Sequence, residues 1–292
     1  MKGGEKLWGI LNDKLDMLQT SNRFPEAIRV AETAFDLAQR VFPAGDTRFS
    51  LSLEKLGQLH GLAGDWAAAK PFLIKAHENL EQGNPIDERA LYRSARRLGF
   101  LYDNLGETEP ALTHYETAFK AGEKLDDVPY NDLGTILNNV ALIYRRTGRQ
   151  KAAEPYYHRA LEIYEKQLGP DHPDVASVLN NLAVFYTNER RFAEAEKSHL
   201  RALSIREKAY PSTHPDIVQS KCNLAVVYHS NGDYERASEL YRASIQVWEE
   251  AGEKLPKDYE IVTSNYADLL RSLGKARQAN QLEERARKKR AD

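Results

Sequence analysis

The chain has a single cysteine, Cys222, in 292 residues. No internal disulfide can form, and a reducing compartment is the expected setting. Neither sign of charge dominates: 41 basic and 43 acidic residues, well mixed, leave a net charge of −2 at pH 7. That balance offers no basic stripe for nucleic acid. Long apolar runs are also missing. Nothing approaches the roughly 20 apolar residues that a membrane span requires. The opening stretch MKGGEKLWGILNDKLDML has neither the apolar core of roughly 7–15 residues nor the cleavage site of a secretion signal. A soluble, cytoplasmic protein without membrane or nucleic-acid partners is expected. Motifs that carry chemistry are lacking as well: there is no HExxH, no paired CxxC, no GxSxG and no glycine-rich phosphate loop.

What the chain has instead is a period. Leu98, Val140, Leu182, Leu224 and Tyr266 follow one another at a constant step of 42 residues, the signature of one supersecondary unit copied in tandem. Other columns keep the register. Small residues stand at Gly57, Gly99, Ala141, Ala183, Ala225 and Ala267, and rings at His60, Tyr102, Tyr144, Tyr186 and Tyr228. One alanine column runs from Ala27 through Ala69, Ala111, Ala153, Ala195 and Ala237 to Ala279. A second begins at Ala34 and ends at Ala286.

These spacings describe a pair of helices. Leu182, Ala183 and Tyr186 lie three or four residues apart and share one helical face; the small residue admits a neighbouring helix to roughly 8–10 Å. Gly64, Gly106, Gly148, Gly232 and Gly274 follow the first helix, where a C-terminal cap takes a left-handed backbone. The second helix runs through the alanine columns. Asp171-His172-Pro173-Asp174 and Thr213-His214-Pro215-Asp216 read as starts of the next first helix: polar cap, proline in the first turn, acid at the positive dipole end.

The ends depart from this pattern. Leu7, Ile10, Leu11, Leu15 and Leu18 are expected to share a face in the first helix of an eroded unit. The last unit closes on Glu283, Glu284, Arg285, Arg287, Lys288, Lys289 and Arg290. Such a charged stretch suits a solubilising cap and, less simply, a basic address. Among the eight histidines, His114, His158 and His199 fall on second helices at unrelated offsets, so they form no column. Glu154 and Glu196 read as surface or inter-helix hydrogen-bonding groups, and Cys222 as a packing residue. No enzymatic activity, cofactor or metal is expected.

The LNN-[VL]-A…Y…G…A-E…A-L-x-I core and the LGPDHPDVA connector at Leu168–Ala176 resemble the tetratricopeptide repeat, in the longer variety found in kinesin light chains and many bacterial repeat proteins. The resemblance implies an all-α, right-handed α-solenoid of helix-turn-helix repeats with about seven helix pairs. It would form one domain over residues 1–292, with units starting near 11, 53, 95, 137, 179, 221 and 263. It also implies a scaffold or adaptor that binds a protein partner. In that family the first helices line a concave face, and residues just before the small column look inward.

In this chain those positions hold Arg96, Arg97, Asn138, Asn139, Asn180, Asn181, Asn223 and Asn265, with Arg93, Arg145, Arg146 and Asn188 nearby. Asparagine costs helix propensity, and its amide can pair with both the N–H and the C=O of an extended peptide. Leu142, Val184 and Val226, with Phe100, would supply an apolar floor, and the arginines forked donors for carboxylates. A short extended peptide is the expected ligand, its acidic residues toward the earlier units and its apolar anchor toward the later ones. Two alternatives stay open: the asparagines serve only to fix stacking, or the chain is a self-assembling or ligand-sensing scaffold that uses its convex face or ends. A clamp for a chaperone C-terminus is disfavoured, because apolar residues stand where such repeats place an asparagine.

Overall fold

A left-handed residue ends the first helix of every unit. Asn22, Gly64, Gly106, Gly148, Arg190, Gly232 and Gly274 recur at the same 42-residue step, all with φ between 55° and 84°. At each one the next residue's N–H reaches back to a carbonyl five residues earlier, as in Asp65→His60 (2.9 Å), Arg191→Tyr186 (2.8 Å) and Lys275→Leu270 (2.8 Å). The bond satisfies an orphan carbonyl of the helix end and turns the chain sharply. Glycine adopts this conformation without strain, whereas an L side chain does so at a cost of roughly 1–2 kcal/mol. Arg190 breaks the glycine column and sits at φ 60°. Arg190→Gly is therefore expected to stabilise the chain by about 1 kcal/mol; a urea midpoint that fails to rise would contradict it.

The computed structural model of the chain describes residues 2–83, 86–125, 128–250, 255–256 and 258–291. All regular structure among them is helical: α1 (Lys2–Thr20), α2 (Phe24–Val41), α3 (Thr47–Leu62), α4 (Trp66–Glu81), α5 (Glu88–Asn104), α6 (Thr108–Gly122), α7 (Tyr130–Arg146), α8 (Gln150–Leu168), α9 (Pro173–Asn188), α10 (Phe192–Ala209), α11 (Pro215–Ser230), α12 (Tyr234–Glu250), α13 (Tyr259–Ser272) and α14 (Ala276–Ala291). The chain divides into two compact units, Met1–Ile143 and Tyr144–Asp292.

Within residues 1–143, α1 packs on α2, α3 on α4 and α5 on α6, while α2 meets α3 and α4 meets α5. Within residues 144–292 the same alternation links α8 through α14. The alanine column from Ala27 to Ala279 is fully buried at all seven positions. The glycines of the small column are there for space. A Cβ on Gly99 would lie 2.6 Å from the Tyr115 ring, and one on Gly57 2.6 Å from Leu73 Cγ. Larger residues at those positions would push the two helices of a pair apart.

The connectors behave as the sequence suggests. His172 and His214 are N-caps whose Nδ1 atoms accept the N–H of Asp174 and Asp216, each at 3.2 Å, with proline in the first turn. First helices thus begin well before the unit starts read from the columns. At the N-terminus the expected single face is split. Leu11, Leu15 and Leu18 pack inward with Trp8 against α2 and α3, while Leu7 and Ile10 face outward. Two apolar stripes on one helix both satisfy the three-or-four spacing, and only the neighbours distinguish them. The terminal α14 is polar on its outer side; the side chain of Arg290 lies outside the described residues. No helix is long and apolar enough to cross a membrane among the described residues.

Candidate functional site

Three helices of the first unit, α3, α5 and α7, present their inward rows to one cleft. It encloses about 450 Å³ between Gly57, Gln58, Leu62, Trp66, Leu73, Arg96, Arg97, Phe100, Tyr115, Thr135, Ile136 and Asn139. Its mouth is apolar: Leu62 is 61% and Phe100 48% exposed, and the Phe100 ring meets Trp66 edge-on at 5.4 Å. Exposed large side chains gathered round a concavity mark a surface that gains by being covered.

The polar wall is largely committed. Arg97 pairs with Glu54, a buried carboxylate on α3, and Gln58, with its amide oxygen turned inward, accepts from Arg97 Nε and Nη2 at 2.7 Å. Burial pulls the Arg97 guanidinium down to about 10, so it stays charged at neutral pH. Arg96 pairs with Asp132 at 2.8 Å, and Asn139 Nδ2 donates to the Tyr115 hydroxyl at 3.2 Å. Arg93 is half-buried on α5, one turn before Arg96 and Arg97.

In the second unit the amides hold one another. Asn223 Nδ2 donates to Asn180 Oδ1 at 2.8 Å, which ties α11 to α9, and Gln219 Nε2 donates to Asn223 Oδ1 at 3.1 Å. Asn181, Asn265, Val184 and Val226 stand half-buried along the same rows, with Asn188 exposed at the end of α9. Arg145 is half-buried beside the Tyr157 hydroxyl, with its Nε buried, whereas Arg146 is exposed; Asn138 and Leu142 are half-buried on α7. An amide has two donors and two acceptor lone pairs, so the pairs between helices leave part of each amide for a second partner.

Arg96, Arg97, Phe100 and Asn139, read from the sequence, therefore do converge, and Asn180 with Asn223 form a second group. The expected polarity does not follow. The apolar cleft lies at the arginine end, and its two wall arginines already face carboxylates. Glu54 and Asp132 supply that neutralisation; Glu54 has no acidic counterpart in its column, and Asp132 shares one with the helix-start acids Asp174 and Asp216. Trp66 and Leu62 were not anticipated either. Aromatic residues recur in Trp66's column at Phe24, Phe192 and Tyr234, and that recurrence was the available signal.

Elsewhere the titratable groups are structural. Arg191 clasps Glu154 at 2.8 and 2.9 Å, while Glu196 accepts from the Tyr228 hydroxyl (2.8 Å) and Arg236 (2.9 Å). Both glutamates thus join one helix pair to the next. Burial pushes the Cys222 thiol up to about 11, far from nucleophilic. No cluster of three or more His, Cys, Asp or Glu side chains able to hold a metal occurs among the described residues.

The tetratricopeptide repeat model matches residues 132–208, 174–250 and 216–291, more than half of the sequence. The chain belongs to the tetratricopeptide repeat family. Among solved structures, this repeat protein is similar to BtubC (BKLC) of P. vanneervenii, with a TM-score of 0.66 and 26% identity over 80% of this chain and 94% of that one. It is also similar to the kinesin-light-chain-type TPR-like repeats of Podosopora anserina, with a TM-score of 0.58 and 21% identity over 70% and 96%. A Rap protein complexed with Competence and Sporulation Factor shares the fold at a TM-score of 0.60 and 16% identity, over 98% and 77%. Comparison with curated proteins gives no match. These likenesses account for the helical repeat architecture of the described residues and for its kinship with kinesin-light-chain-type repeats.

Proposed function

We propose that this tetratricopeptide repeat protein is a non-enzymatic interaction scaffold, one array over residues 1–292, that holds a short extended segment of a partner protein along its first helices. The observation that carries the reading is the cleft of the first unit, where Leu62, Trp66 and Phe100 expose apolar surface beside Asn139 and Arg96. An aliphatic or aromatic side chain of the segment would enter between Trp66 and Phe100. The amides of Asn139 and Asn138 would face its backbone, and Arg93 would face its acidic flank. Asn180, Asn181, Asn223 and Asn265, with Val184 and Val226 between them, would supply the same amide-and-aliphatic arrangement along the second unit. The Rap protein, captured in complex with Competence and Sporulation Factor, supports a binding role for such a fold. An adaptor role in the cytoplasm goes with this reading.

Each amide pair is worth about 1 kcal/mol net, and ordering a flexible segment offsets part of the contact energy. Affinity should be around micromolar, ~−8 kcal/mol. A peptide-array screen would supply ligands. Phe100→Asp should weaken the selected peptides at least tenfold, and Asn139→Ala by about fivefold, with helical content unchanged. Peptides that bind the Phe100→Asp chain as well as the wild type would rule out the cleft as their site.

A further inference from the structure

Two imidazoles stand where the fold asks for none. His77 of α4 and His114 of α6 meet edge-on, with ring centroids 5.6 Å apart. One 42-residue step earlier the same two columns hold Phe35 and Phe72, which meet edge-on at 6.4 Å. The ring beside them repeats too: Tyr102 stacks on His114 at 5.4 Å, as His60 stacks on Phe72 at 5.6 Å. The next four units continue the His77 column as Phe119, Leu161, Leu203 and Ile245, and the His114 column as Tyr156, Ser198, Leu240 and Leu282. Packing therefore requires no histidine at either place, and no other unit has one in either column.

The surroundings decide how the pair takes up protons. Both rings are half-buried, and His77 Nδ1 lies 3.2 Å from the hydroxyl of Ser94, a buried residue of α5. From α4 itself, Glu81 approaches His77 Nε2 at 3.8 Å and Glu78 adds a second negative charge. The groups that α5 sets against the pair, Ser94 and Tyr102, are neutral. Lys70 lies over the Tyr102 ring at 5.1 Å but is held by Glu107 at 2.7 Å. Arg96 of α5 and Asp132 of α7 hold each other, and α3, also packed on α4, brings no charge to the pair among the described residues. Burial keeps both imidazoles below the usual 6.5, and for His114 the nearness of His77 is the second cause. The two glutamates favour a first proton on His77; a second, on His114, must then sit beside a like charge.

A packed ring pair does not tolerate that second proton. Neutral rings attract edge to face, whereas two imidazolium ions repel. Each ring binds its proton more readily when freed from the packed site than within it. The contact is thus whole above about pH 6.5 and weakens as pH falls below that. More than the histidines would move. Leu73, one turn before His77 on α4, and Tyr115, next to His114 on α6, both line the cleft of the first unit. Parting α4 from α6 therefore shifts two of its walls.

We propose that the His77–His114 contact is an acid-sensitive joint between the second and third helix pairs, closed while the rings are neutral and opened when both are protonated, carrying Leu73 and Tyr115 with it. A ligand's response to the joint rests on the binding role given to the cleft above; the joint itself does not. The test uses the full chain with spin labels on Lys75→Cys and Thr117→Cys, exposed positions of α4 and α6. Cys222, at 1% exposure, stays unlabelled. Between about pH 7.5 and about pH 5 the distance between labels should shift to longer values. His77→Phe with His114→Phe, which copies the Phe35–Phe72 pair and leaves His199 in place, should abolish that shift. In the single variant His77→Phe, the NMR titration of the His114 ring should move to higher pH. A distance that acid leaves unchanged with both histidines present overturns the proposal. So does a shift that persists in the double variant, or a His114 titration indifferent to His77→Phe.

Discussion

Glu54→Ala should destabilise the chain by about 3 kcal/mol, read as a fall in the urea midpoint at constant slope. Glu54 is among the few acidic side chains buried in the described structure, at 3% exposure, and its partner is Arg97 on the next first helix. Removing the carboxylate leaves a guanidinium that is still charged at pH 7 and mostly shut off from water. Gln58 would remain as its acceptor, but a neutral amide does not replace a counter-charge. That asymmetry makes a broken buried pair far costlier than an absent one. The double variant Glu54→Leu with Arg97→Met should therefore recover most of the loss, which gives a large coupling energy in the double-mutant cycle. If the double variant is as unstable as the sum of the singles, the pair is not what holds α3 to α5.

Acidification should expose a second buried group. His199 on α10 is 1% exposed, with no partner for Nδ1 among the described residues. Burial, and then the charge of Arg206, lower its pKa from 6.5 to about 4. The unfolded chain takes up this proton at higher pH than the folded one does. The stabilisation is thus fully present above about pH 6.5 and is lost as pH falls from there to about 4, reaching about 3 kcal/mol at the lower limit. Arg206 reinforces the effect, since it stays nearby, donating to Ser220 Oγ at 2.6 Å and to the Asp216 carbonyl at 3.1 Å. Tyrosine occupies the same column at Tyr115, Tyr157 and Tyr241, all buried. His199→Tyr should flatten the stability profile between pH 6.5 and 4. A variant that keeps the wild-type slope would place the titrating group elsewhere.

The fold was legible because each repeated residue meets the same local demand. Gly64 and its column close a left-handed turn, Ala69 and its column touch a neighbouring helix, and His172-Pro173-Asp174 starts one. Such requirements are local in sequence and recur, so the period displays them. The candidate site was legible only in part. Phe100, Arg96, Arg97 and Asn139 could be placed on inward rows, but their partners could not: Glu54 departs from its column, which continues as Arg96, Asn138 and Asn180, and Asp132 stands in the column of Asp174, Asp216 and Asp258, which reads as an acid at a helix start rather than as the partner of an arginine. The same holds for Asn180 and Asn223: the column showed that an amide is kept, and only the packing showed that the two amides bond to each other. Leu7 and Ile10 failed for a related reason. A helix with two apolar stripes has one periodicity, and the sequence does not say which stripe finds a neighbour.

The caps at His172 and His214 have one more consequence, which concerns the gene rather than the molecule. The two turns present the same His-Pro-Asp at the same phase of the unit, with the same bond from imidazole to backbone. A recombination event between those two stretches would remove or duplicate 42 residues and leave an intact cap at the seam. No helix would be cut and no turn would change length. The number of helix pairs is therefore a quantity that heredity can alter in whole units, while each unit remains free to diverge in what it presents.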